Sequence, residues 1–466
     1  MIATLIFIPN SLIAGNAIKY YGYTEENQNN KRGSRKMTND ERIQARIARD
    51  KLRRQRRKEE RNKEFDNFQS TIKMQNYFDA LRKCKKGVNW KGTVQLYSQN
   101  AICEIDTVIK SLENGKLPKL SNIAKIELYE RGKKRIITPI NIKDRMTQRV
   151  LCDQSLAPVL HKTLIYDNGA SMQGKGVDFT RKRLNLHLRE AIKEYGSDFY
   201  ALTFDFKSFF DSIPHKTCLR VLNDNFQDKY IKGLIMAIIK SYQEPFILRE
   251  SDAVVRESHL YQLKHNQLHG ICLGSQISQV MALAVPNKLD HFIKDKKGVR
   301  HYIRYMDDGI ILSDNKEFLH QLYQEMKTVV EELGLKFNEK KTKVVRMSKG
   351  FSFMKIKYKV TKSGKIIRTL TRPGIVRMRR KLKKFRRLVT KGVMTYDDVY
   401  NSIQSWLSHS EIAHSYTTKK NMLKLYNDLF DGYKLTKKYE HIKGGKSGAL
   451  LQVDKWHDFR WDCDIA

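Results

Sequence analysis

The sequence predicts an α+β fold, in which a small sheet of apolar strands is covered by longer helices. The run FYALTFDF has the length of one buried strand and leads into Asp205. The run HYIRYMDDGIIL places two apolar strands on either side of a tight turn, and the amphipathic helix NKEFLHQLYQEMKTVVEELG follows it, ended by Gly334. The order of elements is strand, helix, helix, hairpin and helix. A mixed sheet packed on helices is the simplest architecture for that order.

Before the first of these strands, the chain is expected to be mostly helical. Charged residues dominate from Asp40 to about Lys63 and predict a solvated basic helix, which fits a tail as well as an RNA-binding segment. Short helices are expected over residues 66–120, ended by Gly115. Residues 123–140 read as two strands around a basic turn, and they predict a β-hairpin tipped with cations.

Helices are also expected on both sides of the apolar strand. Apolar residues recur at helical spacing from Val177 to Ile192, before Gly196, and again from His215 to Phe226. A long polar connection is expected next, and then SQVMALAVPNKLDHFI predicts one buried helix. No repeat or flexible linker interrupts residues 66–430, so these segments are expected to share one continuous body.

Length and charge limit the classes of function. The 466 residues, 40% of them hydrophobic, suffice for a buried core, and length alone allows about two to four domains. The 89 basic and 50 acidic residues leave a formal net charge of +39. Such a field concentrates a polyanion along any groove that these side chains line, so nucleic acid is the leading partner. A merely soluble basic protein would explain the sign of this charge but not its size.

The cysteines favour a reducing compartment, and the N-terminal residues do not predict a membrane-spanning segment. No two of the six cysteines are spaced as C-x-x-C, which argues against a zinc knuckle and a disulfide framework and favours the cytoplasm. The apolar residues 1–14 are interrupted by Pro9 and are too short to span a bilayer, so no membrane insertion is expected. Because Met37 begins a stretch typical of a natural start, residues 1–36 are expected to come from an upstream start codon.

Three aspartates form the most informative group of residues. Asp307 and Asp308 lie at the turn of the predicted hairpin, where a bend lets neighbouring carboxylates converge, and Asp205 ends a separate strand. Close anions raise each other's pKa unless a cation neutralises them, and carboxylates are ligands that Mg²⁺ prefers. Three such groups suffice for a two-metal site of the kind that serves nucleotidyl transfer. An Asp-Asp-Gly step by itself is more often an ordinary turn.

The surroundings of these acids resemble the reverse transcriptase family. YMDD at residues 305–308 follows an F-D-x-x-x-F-F element at residues 204–210, in the family's order. The resemblance runs from about Ile123 to Leu407. It includes an L-G-x-x-x-S-Q form at residues 273–279, which is found in reverse transcriptases of diversity-generating retroelements and of unclassified bacterial groups, some tied to phage defence. The resemblance implies a stand-alone bacterial RNA-directed DNA polymerase, a nucleotidyltransferase.

The family's fold is a right-hand polymerase with palm, fingers and thumb, here behind a helical N-terminal extension. The resemblance implies five parts. They are a doubtful extension and basic helix (1–65), N-terminal helices and fingers (66–195), a palm (196–345) with a fingers insertion at about 225–265, a primer grip and helical thumb (346–432), and a basic tail (433–466).

The resemblance also implies the roles of the catalytic residues. Asp205, Asp307, Asp308 and the backbone carbonyl of Phe206 would hold two Mg²⁺ ions, with Mn²⁺ as a substitute. Lys341, in the run NEKKT, matches a lysine that acts as general acid toward the leaving pyrophosphate. The alternative for Lys341 is an ordinary surface lysine.

Other positions match the family's contacts to the incoming nucleotide. Phe210 matches the steric gate that rejects a 2′-hydroxyl, unless it is an ordinary core aromatic. Arg135 and Lys133 match the cationic fingers hairpin that grips the triphosphate, unless they are solvated turn cations. In the element at residues 273–279, Gly274 matches a glycine of the family, and Gln279 is the last residue. Many members carry a glutamine before that glycine, and Leu273 replaces it here. Loss of that polar contact predicts low fidelity.

The last matching elements are the primer grip and the thumb. The run GFSFM at residues 350–354 resembles the primer grip. The helix that follows is predicted to have an apolar face and an opposite cationic face that tracks the duplex backbone. The apolar face is Ile375, Met378, Leu382, Phe385 and Leu388, and the cationic face is Arg379, Arg380, Lys383, Lys384, Arg386 and Arg387. Trp406 is expected in the thumb core rather than as a base-stacking platform.

The expected partners are an RNA template, a nucleic-acid primer, dNTPs and a cognate structured RNA, and an accessory protein is left open. One alternative is a catalytically inactive RNA-binding protein that keeps a palm, which the intact acidic triad disfavours. Another is an RNA-dependent RNA polymerase, disfavoured by Phe210 and by YMDD in place of G-D-D. The sequence leaves open whether the biological role is phage defence or targeted mutagenesis.

Overall fold

The computed structural model describes residues 39–116, 126–130, 133–243, 253–265 and 267–435. The chain divides into two units, residues 1–60 and 61–466. The described part of the first unit belongs to one helix, α1 (Asn39–Glu64), which confirms the predicted basic helix. The expectations for residues 1–36 and for the tail beyond residue 435 lie outside the described residues.

The second unit opens with helices, as predicted. In chain order they are α2 (Phe68–Thr71), α3 (Met74–Cys84), α4 (Gly92–Gln99) and α5 (Ala101–Glu113). Gly115 follows α5 with a φ of 69°, a left-handed conformation that suits a helix end. The strands β1 (Ile126–Glu130) and β2 (Lys133–Ile137) then pair as an antiparallel hairpin. The prediction of this hairpin is confirmed, although Lys133 and Lys134 belong to a strand, and the two residues between the strands lie outside the described part.

The next helices cover a central sheet. They are α6 (Ile142–Leu151), α7 (Ala157–His161) and α8 (Val177–Tyr195), with a π-helical turn at Cys152–Leu156. The sheet consists of β3 (Tyr200–Phe204), β4 (Tyr302–Tyr305), β5 (Asp308–Ser313) and β6 (Lys343–Arg346), antiparallel throughout in the order β4-β5-β3-β6. This confirms the strand predicted to lead into Asp205 and the hairpin predicted around the two neighbouring aspartates.

Among the described residues, seven helices and one π-helical turn lie between β3 and β4 and between β5 and β6. They are α9 (Phe209–Ser212), α10 (His215–Asn225), α11 (Lys229–Ser241), α12 (Ala253–Lys264), α13 (Gln276–Ala284), α14 (Asn287–His291), a π-helical turn at Phe292–Lys296, and, after β5, α15 (Lys316–Glu332). Two predictions are wrong here. The polar connection expected after Phe226 contains α11, whose apolar face is buried. The single helix expected from Ser278 onward is broken at Pro286, which cannot donate the hydrogen bond that an uninterrupted helix requires.

Side chains on the sheet alternate between its two faces, as strand geometry requires. Leu202, Phe204 and Ile311 enter the large core formed with α13 and α15. Ala201 and Ile310 enter a second core on the other face, which α8 covers. Every central strand is therefore buried on both faces, and the ends of β3 and β5 are held in fixed register.

The C-terminal part forms a second sheet and a helical bundle. The strands β7 (Phe351–Phe353), β8 (Ile356–Val360) and β9 (Ile366–Leu370) make an antiparallel sheet in that order. The helices α16 (Arg372–Thr390), α17 (Tyr396–Ser410) and α18 (Tyr416–Leu429) enclose a separate core. The apolar face predicted for α16 is confirmed, because Met378, Leu382 and Phe385 are buried while the predicted cations are exposed.

The five cysteines within the described residues are free, and Cys463 lies outside them. Among the described helices, none has both the length and the apolar character needed to cross a bilayer. Trp406 is partly buried and packs against the core of the C-terminal helices, as expected.

Candidate active site

A two-residue turn joins β4 to β5 and presents two carboxylates. Tyr305 pairs with Asp308, so Met306 and Asp307 alone form the turn. Met306 has a φ of 53°, and a positive φ at a central position is what two-residue hairpin turns need to follow the strand twist. Asp307 thus lies at the tip of the turn, and Asp308 is the first residue of β5.

The third carboxylate reaches the same place from β3. Phe204 pairs with Gly309 on β5, which places Asp205, the residue after β3, beside Asp308. Gly309 makes this pairing possible, because a Cβ at that position would lie 2.1 Å from Cζ of Phe204. Glycine is the residue that accommodates so close an approach. The antiparallel register therefore brings the ends of two strands together at the acids.

The three carboxylates form one cluster. Asp205, Asp307 and Asp308 each offer an oxygen, and these oxygens all lie within 4.8 Å of one another. Burial, followed by the charge of Asp205, raises the pKa of Asp307 to about 6. Burial, followed by the charges of Asp307 and Asp205, raises the pKa of Asp308 to about 7. The cluster thus holds more negative charge than its surroundings compensate, and it fits a divalent cation with oxygen ligands.

Within the described part of the chain, Lys341 is a cation that contacts this cluster. Its Nζ donates to Oδ2 of Asp205, and about half of its side chain is exposed. Burial works to lower the pKa of Lys341, but the hydrogen bond to Asp205 and the charges of the aspartates raise it. The loop that carries Lys341 is anchored at the same point, because the Asn338 N–H donates to the Asp205 carbonyl at 2.7 Å. Lys341 is therefore charged and next to the acids.

A buried ion pair supports the turn from behind, and sequence reasoning missed it. Arg304 and Asp290 are both fully buried, and Arg304 donates from Nε and Nη2 to the two Asp290 oxygens at 2.6–3.0 Å. Nη1 of Arg304 also donates to the Met306 carbonyl at 2.8 Å, and Tyr302 donates its hydroxyl to Asp290 at 2.6 Å. The available signal was an arginine and an aspartate, each inside a run predicted to be buried.

The aromatic residues after Asp205 pack as a stack. The ring of Phe206 lies parallel to those of Phe209 and Phe337, with centroids 5.1 and 5.4 Å away. Phe210 is half-buried and meets Phe209 edge to face. Its carbonyl accepts from the Ile271 N–H at 2.9 Å, which ties it to the segment before α13. Phe210 is thus packed against Phe209 and remains partly exposed.

The predicted LGSQISQ element forms the start of α13. Ser275 caps the helix by accepting from the Ser278 N–H, and its hydroxyl also donates to Gln148 at 2.8 Å. Gly274 has a φ of 111°, which residues with a side chain rarely adopt, and a Cβ there would lie within 3.0 Å of the Thr138 carbonyl oxygen. Leu273 is half-buried and Gln279 is exposed. The backbone that follows β2 meets this corner, because the Thr138 N–H donates to the Leu273 carbonyl at 3.4 Å.

The structure describes the backbone of the two cations predicted to bind the triphosphate, but not their side chains. Lys133 and Arg135 are residues of β2, and the positions of their side chains lie outside what the structure describes. Their predicted contact with a triphosphate stays a prediction.

The comparison with protein families decides the identity. Residues 118–359, just over half of the chain, match the family model described as reverse transcriptase (RNA-dependent DNA polymerase). The chain belongs to the reverse transcriptase family. It is therefore an enzyme of the RNA-directed DNA polymerase class, which are nucleotidyltransferases, and the matched region of this reverse transcriptase contains all three clustered aspartates and Lys341.

Solved structures similar to this reverse transcriptase include two telomerases from Candida species. Apo telomerase from Candida tropicalis, truncated from its C-terminal domain, is 11% identical over 53% of this chain, with a TM-score of 0.38. Telomerase from Candida albicans in complex with a fragment of telomeric RNA is 14% identical over 66% of this chain, with a TM-score of 0.37. The chain spans 54% of the length of each of them. No curated protein matches this sequence.

Proposed function

We propose that this chain copies RNA into DNA by two-metal nucleotidyl transfer centred on Asp205, Asp307 and Asp308. The observation that carries the proposal is the convergence of one carboxylate from β3 and two from the β4–β5 turn to within 4.8 Å. The excess of negative charge there is what a pair of divalent cations would neutralise, and Mg²⁺ is the ion that such oxygen ligands favour. Mn²⁺ would fit the same ligands.

The three aspartates would hold the metals, with the Phe206 carbonyl completing the set. Two divalent ions in such a site lower the pKa of a primer 3′-hydroxyl and stabilise negative charge on the transferred phosphate. Lys341 would protonate the leaving pyrophosphate, because its side chain is charged and contacts Asp205. The buried pair of Arg304 and Asp290 keeps the turn in place without repacking during the reaction.

Other residues would select the substrate. Phe210, fixed by Phe209 with its ring partly exposed, serves as the gate against a 2′-hydroxyl. Leu273, at the corner before α13, presents an apolar side chain where a glutamine would donate to the nucleotide, which lowers fidelity. Lys133 and Arg135 on the fingers hairpin would bind the triphosphate of the incoming dNTP.

The parts of the chain fit the palm, fingers and thumb of a polymerase. The β4-β5-β3-β6 sheet would be the palm (196–345), and the helices α11 and α12 would be the fingers insertion at about 225–265. The β1–β2 hairpin belongs to the fingers (66–195). The β7–β8 hairpin would grip the primer, and α16, with its exposed arginines and lysines, would follow the duplex backbone within 346–432.

Primer extension tests the proposal directly. The purified chain, a primed RNA template, dNTPs and Mg²⁺ are expected to give extended DNA, and Asp307→Ala is expected to abolish it. Asp314→Asn is the matched control, because Asp314 is an exposed aspartate at the far end of β5 and is expected to leave the rate unchanged. The proposal fails if no primed or self-primed template is extended, or if Asp307→Ala retains the full rate.

We also propose a cellular setting. The L-G-x-x-x-S-Q form at residues 273–279 favours a stand-alone bacterial enzyme of the cytoplasm that works with a cognate structured RNA, and with an accessory protein where the gene neighbourhood encodes one. Sequencing the RNA that co-purifies with the chain tests this. A single enriched structured RNA supports the proposal, whereas a mixture that mirrors total cellular RNA refutes it. A defence island beside the gene would assign immunity, and a template repeat beside a variable gene would assign mutagenesis.

A further inference from the structure

A second polar cluster lies at the other end of β4, away from the clustered aspartates. His187 and Glu190 lie on α8, and His301 directly precedes β4. The two imidazoles are almost completely buried, and their Nδ1 atoms face each other at 3.4 Å. A ligand atom from each of the three residues lies within 4.8 Å of the others. Four residues of strand separate His301 from the catalytic turn, roughly 13 Å along β4.

The outer nitrogen of each ring, Nε2, lies close to a carboxylate. His301 Nε2 lies 3.1 Å from Glu194, within a hydrogen bond, and His187 Nε2 lies 3.2 Å from Asp167 without completing a regular one. A carboxylate at the outer nitrogen favours the tautomer that carries its proton there. In that tautomer both Nδ1 atoms present lone pairs to each other, which is unfavourable unless a cation or a shared proton lies between them.

The separation of these nitrogens matches that of two ligands on one tetrahedral metal. Nitrogen binds zinc at about 2.0–2.1 Å, so two nitrogens in a tetrahedral shell lie about 3.4 Å apart. Histidine ligands whose outer nitrogen meets a carboxylate are the usual arrangement around bound zinc. We propose that His187 Nδ1, His301 Nδ1 and the Glu190 carboxylate bind one divalent transition metal, preferentially Zn²⁺, with water as the fourth ligand.

The charges around this cluster leave a path for the ion. Arg183 and Lys294 contact Asp167, at 2.6 and 3.3 Å, so they compensate the carboxylate behind His187 rather than the ligands. Among the described ion pairs, Arg300 is the cation that contacts Glu190, at 3.5 Å, and because it is mostly exposed it can move aside. The Glu190 side chain is 34% exposed and gives the ion access from solvent.

The metal would connect α8 to β4. The helix supplies two ligands and the residue directly before β4 supplies the third, so binding would stabilise the packing of α8 on the sheet. This role concerns the fold and does not depend on the proposed polymerase activity.

Zinc binding is tested in the full chain with Asp205→Asn and Asp307→Asn, so that the catalytic acids contribute little. After stripping with a chelator, titration calorimetry with Zn²⁺ is expected to show one ion per chain and a higher thermal midpoint. Adding Glu190→Gln is expected to raise the Kd at least tenfold and to remove most of that midpoint shift. Because Glu190 is partly exposed, this variant is expected to fold even if His187→Gln or His301→Gln does not.

Matched controls come from an exposed helix. His320→Gln and Glu331→Gln, both exposed on α15, are expected to leave zinc affinity unchanged. Cobalt bound in place of zinc is expected to give the visible absorption of a tetrahedral site, and Glu190→Gln is expected to lose it. The proposal is overturned if the stripped chain binds no zinc and its midpoint stays the same, which would leave a shared proton between the two rings. The proposal is also overturned if zinc binds with unchanged affinity to the Glu190→Gln and His301→Gln variants.

Discussion

Replacing Asp290 by asparagine removes the charge that compensates Arg304. Both side chains are fully buried, and Arg304 donates to both oxygens of Asp290. Asparagine keeps the volume and can still accept from Tyr302, so the main change is electrostatic. Leaving one partner of a buried ion pair uncompensated costs on the order of 3–5 kcal/mol, and Asp290→Asn is expected to lower the free energy of unfolding by that amount.

A second variant separates stability from positioning. Asp290→Leu, Tyr302→Phe and Arg304→Met together replace all three polar side chains by apolar ones of similar size. Such replacements are often close to neutral, so stability is expected to return to within about 2 kcal/mol of the original. The Met306 carbonyl, however, loses its charged donor. A hydrogen bond to a charged group is worth about 1.5–3 kcal/mol. If all of this free energy acts on the reacting geometry, the single-turnover rate constant falls on the order of 10-fold to 100-fold.

The assays are urea unfolding followed by circular dichroism, and single-turnover primer extension at saturating dNTP. Arg346→Met is the matched control, because Arg346 pairs with Asp198 on the surface with about half of each side chain exposed. Exposed pairs contribute about 1 kcal/mol or less, so this variant is expected to change stability little and rate not at all. A triple variant as fast as the original enzyme would show that Arg304 does not position the turn. An Asp290→Asn variant with unchanged stability would contradict the buried-charge argument.

Three further variants test single contacts. Phe210→Ala is expected to admit ribonucleotides, measured as the ratio of rNTP to dNTP incorporation, and unchanged sugar selectivity would reject the gate assignment. Leu273→Gln is expected to lower misincorporation in a sequenced extension product, and an unchanged error rate would remove Leu273 as its cause. Gly309→Ala is expected to cost about 1–3 kcal/mol in urea unfolding, because its new Cβ overlaps the Phe204 ring; adding Phe204→Leu is expected to recover part of that loss.

The convergence of the three aspartates could be predicted from the sequence because their positions depend on local rules. A two-residue turn brings Asp307 and Asp308 together, and an apolar strand of fixed length ends at Asp205. To predict that β3 pairs with β5, it was enough to assume that the apolar strands belong to one sheet. Helix α11 was missed although its apolar residues recur at helical spacing, because its lysines made the segment read as polar.

The ion pair behind the turn could not be predicted in the same way. Arg304 and Asp290 come from segments 14 residues apart that meet only after α14 packs on β4. Periodicity shows that a charged residue falls in a buried strand, but it does not name the partner. The contact between His187 and His301 spans 114 residues and depends on the placement of α8, which strand and helix patterns do not determine.

The strand β4 lies at the edge of the central sheet and leads into the turn that carries Asp307 and Asp308. An edge strand offers unpaired backbone groups on one side. Here the segment around Asn168 covers that side, because the Arg304 N–H donates to the Asp167 carbonyl and the Gly169 N–H donates to the Arg304 carbonyl. The Arg304 side chain anchors the same residue to α14 through Asp290. The backbone and the side chain of one residue thus fix the strand two positions before Met306. These buried contacts hold the strand that carries the acidic turn, and the bond from Arg304 to the Met306 carbonyl extends them to the turn itself.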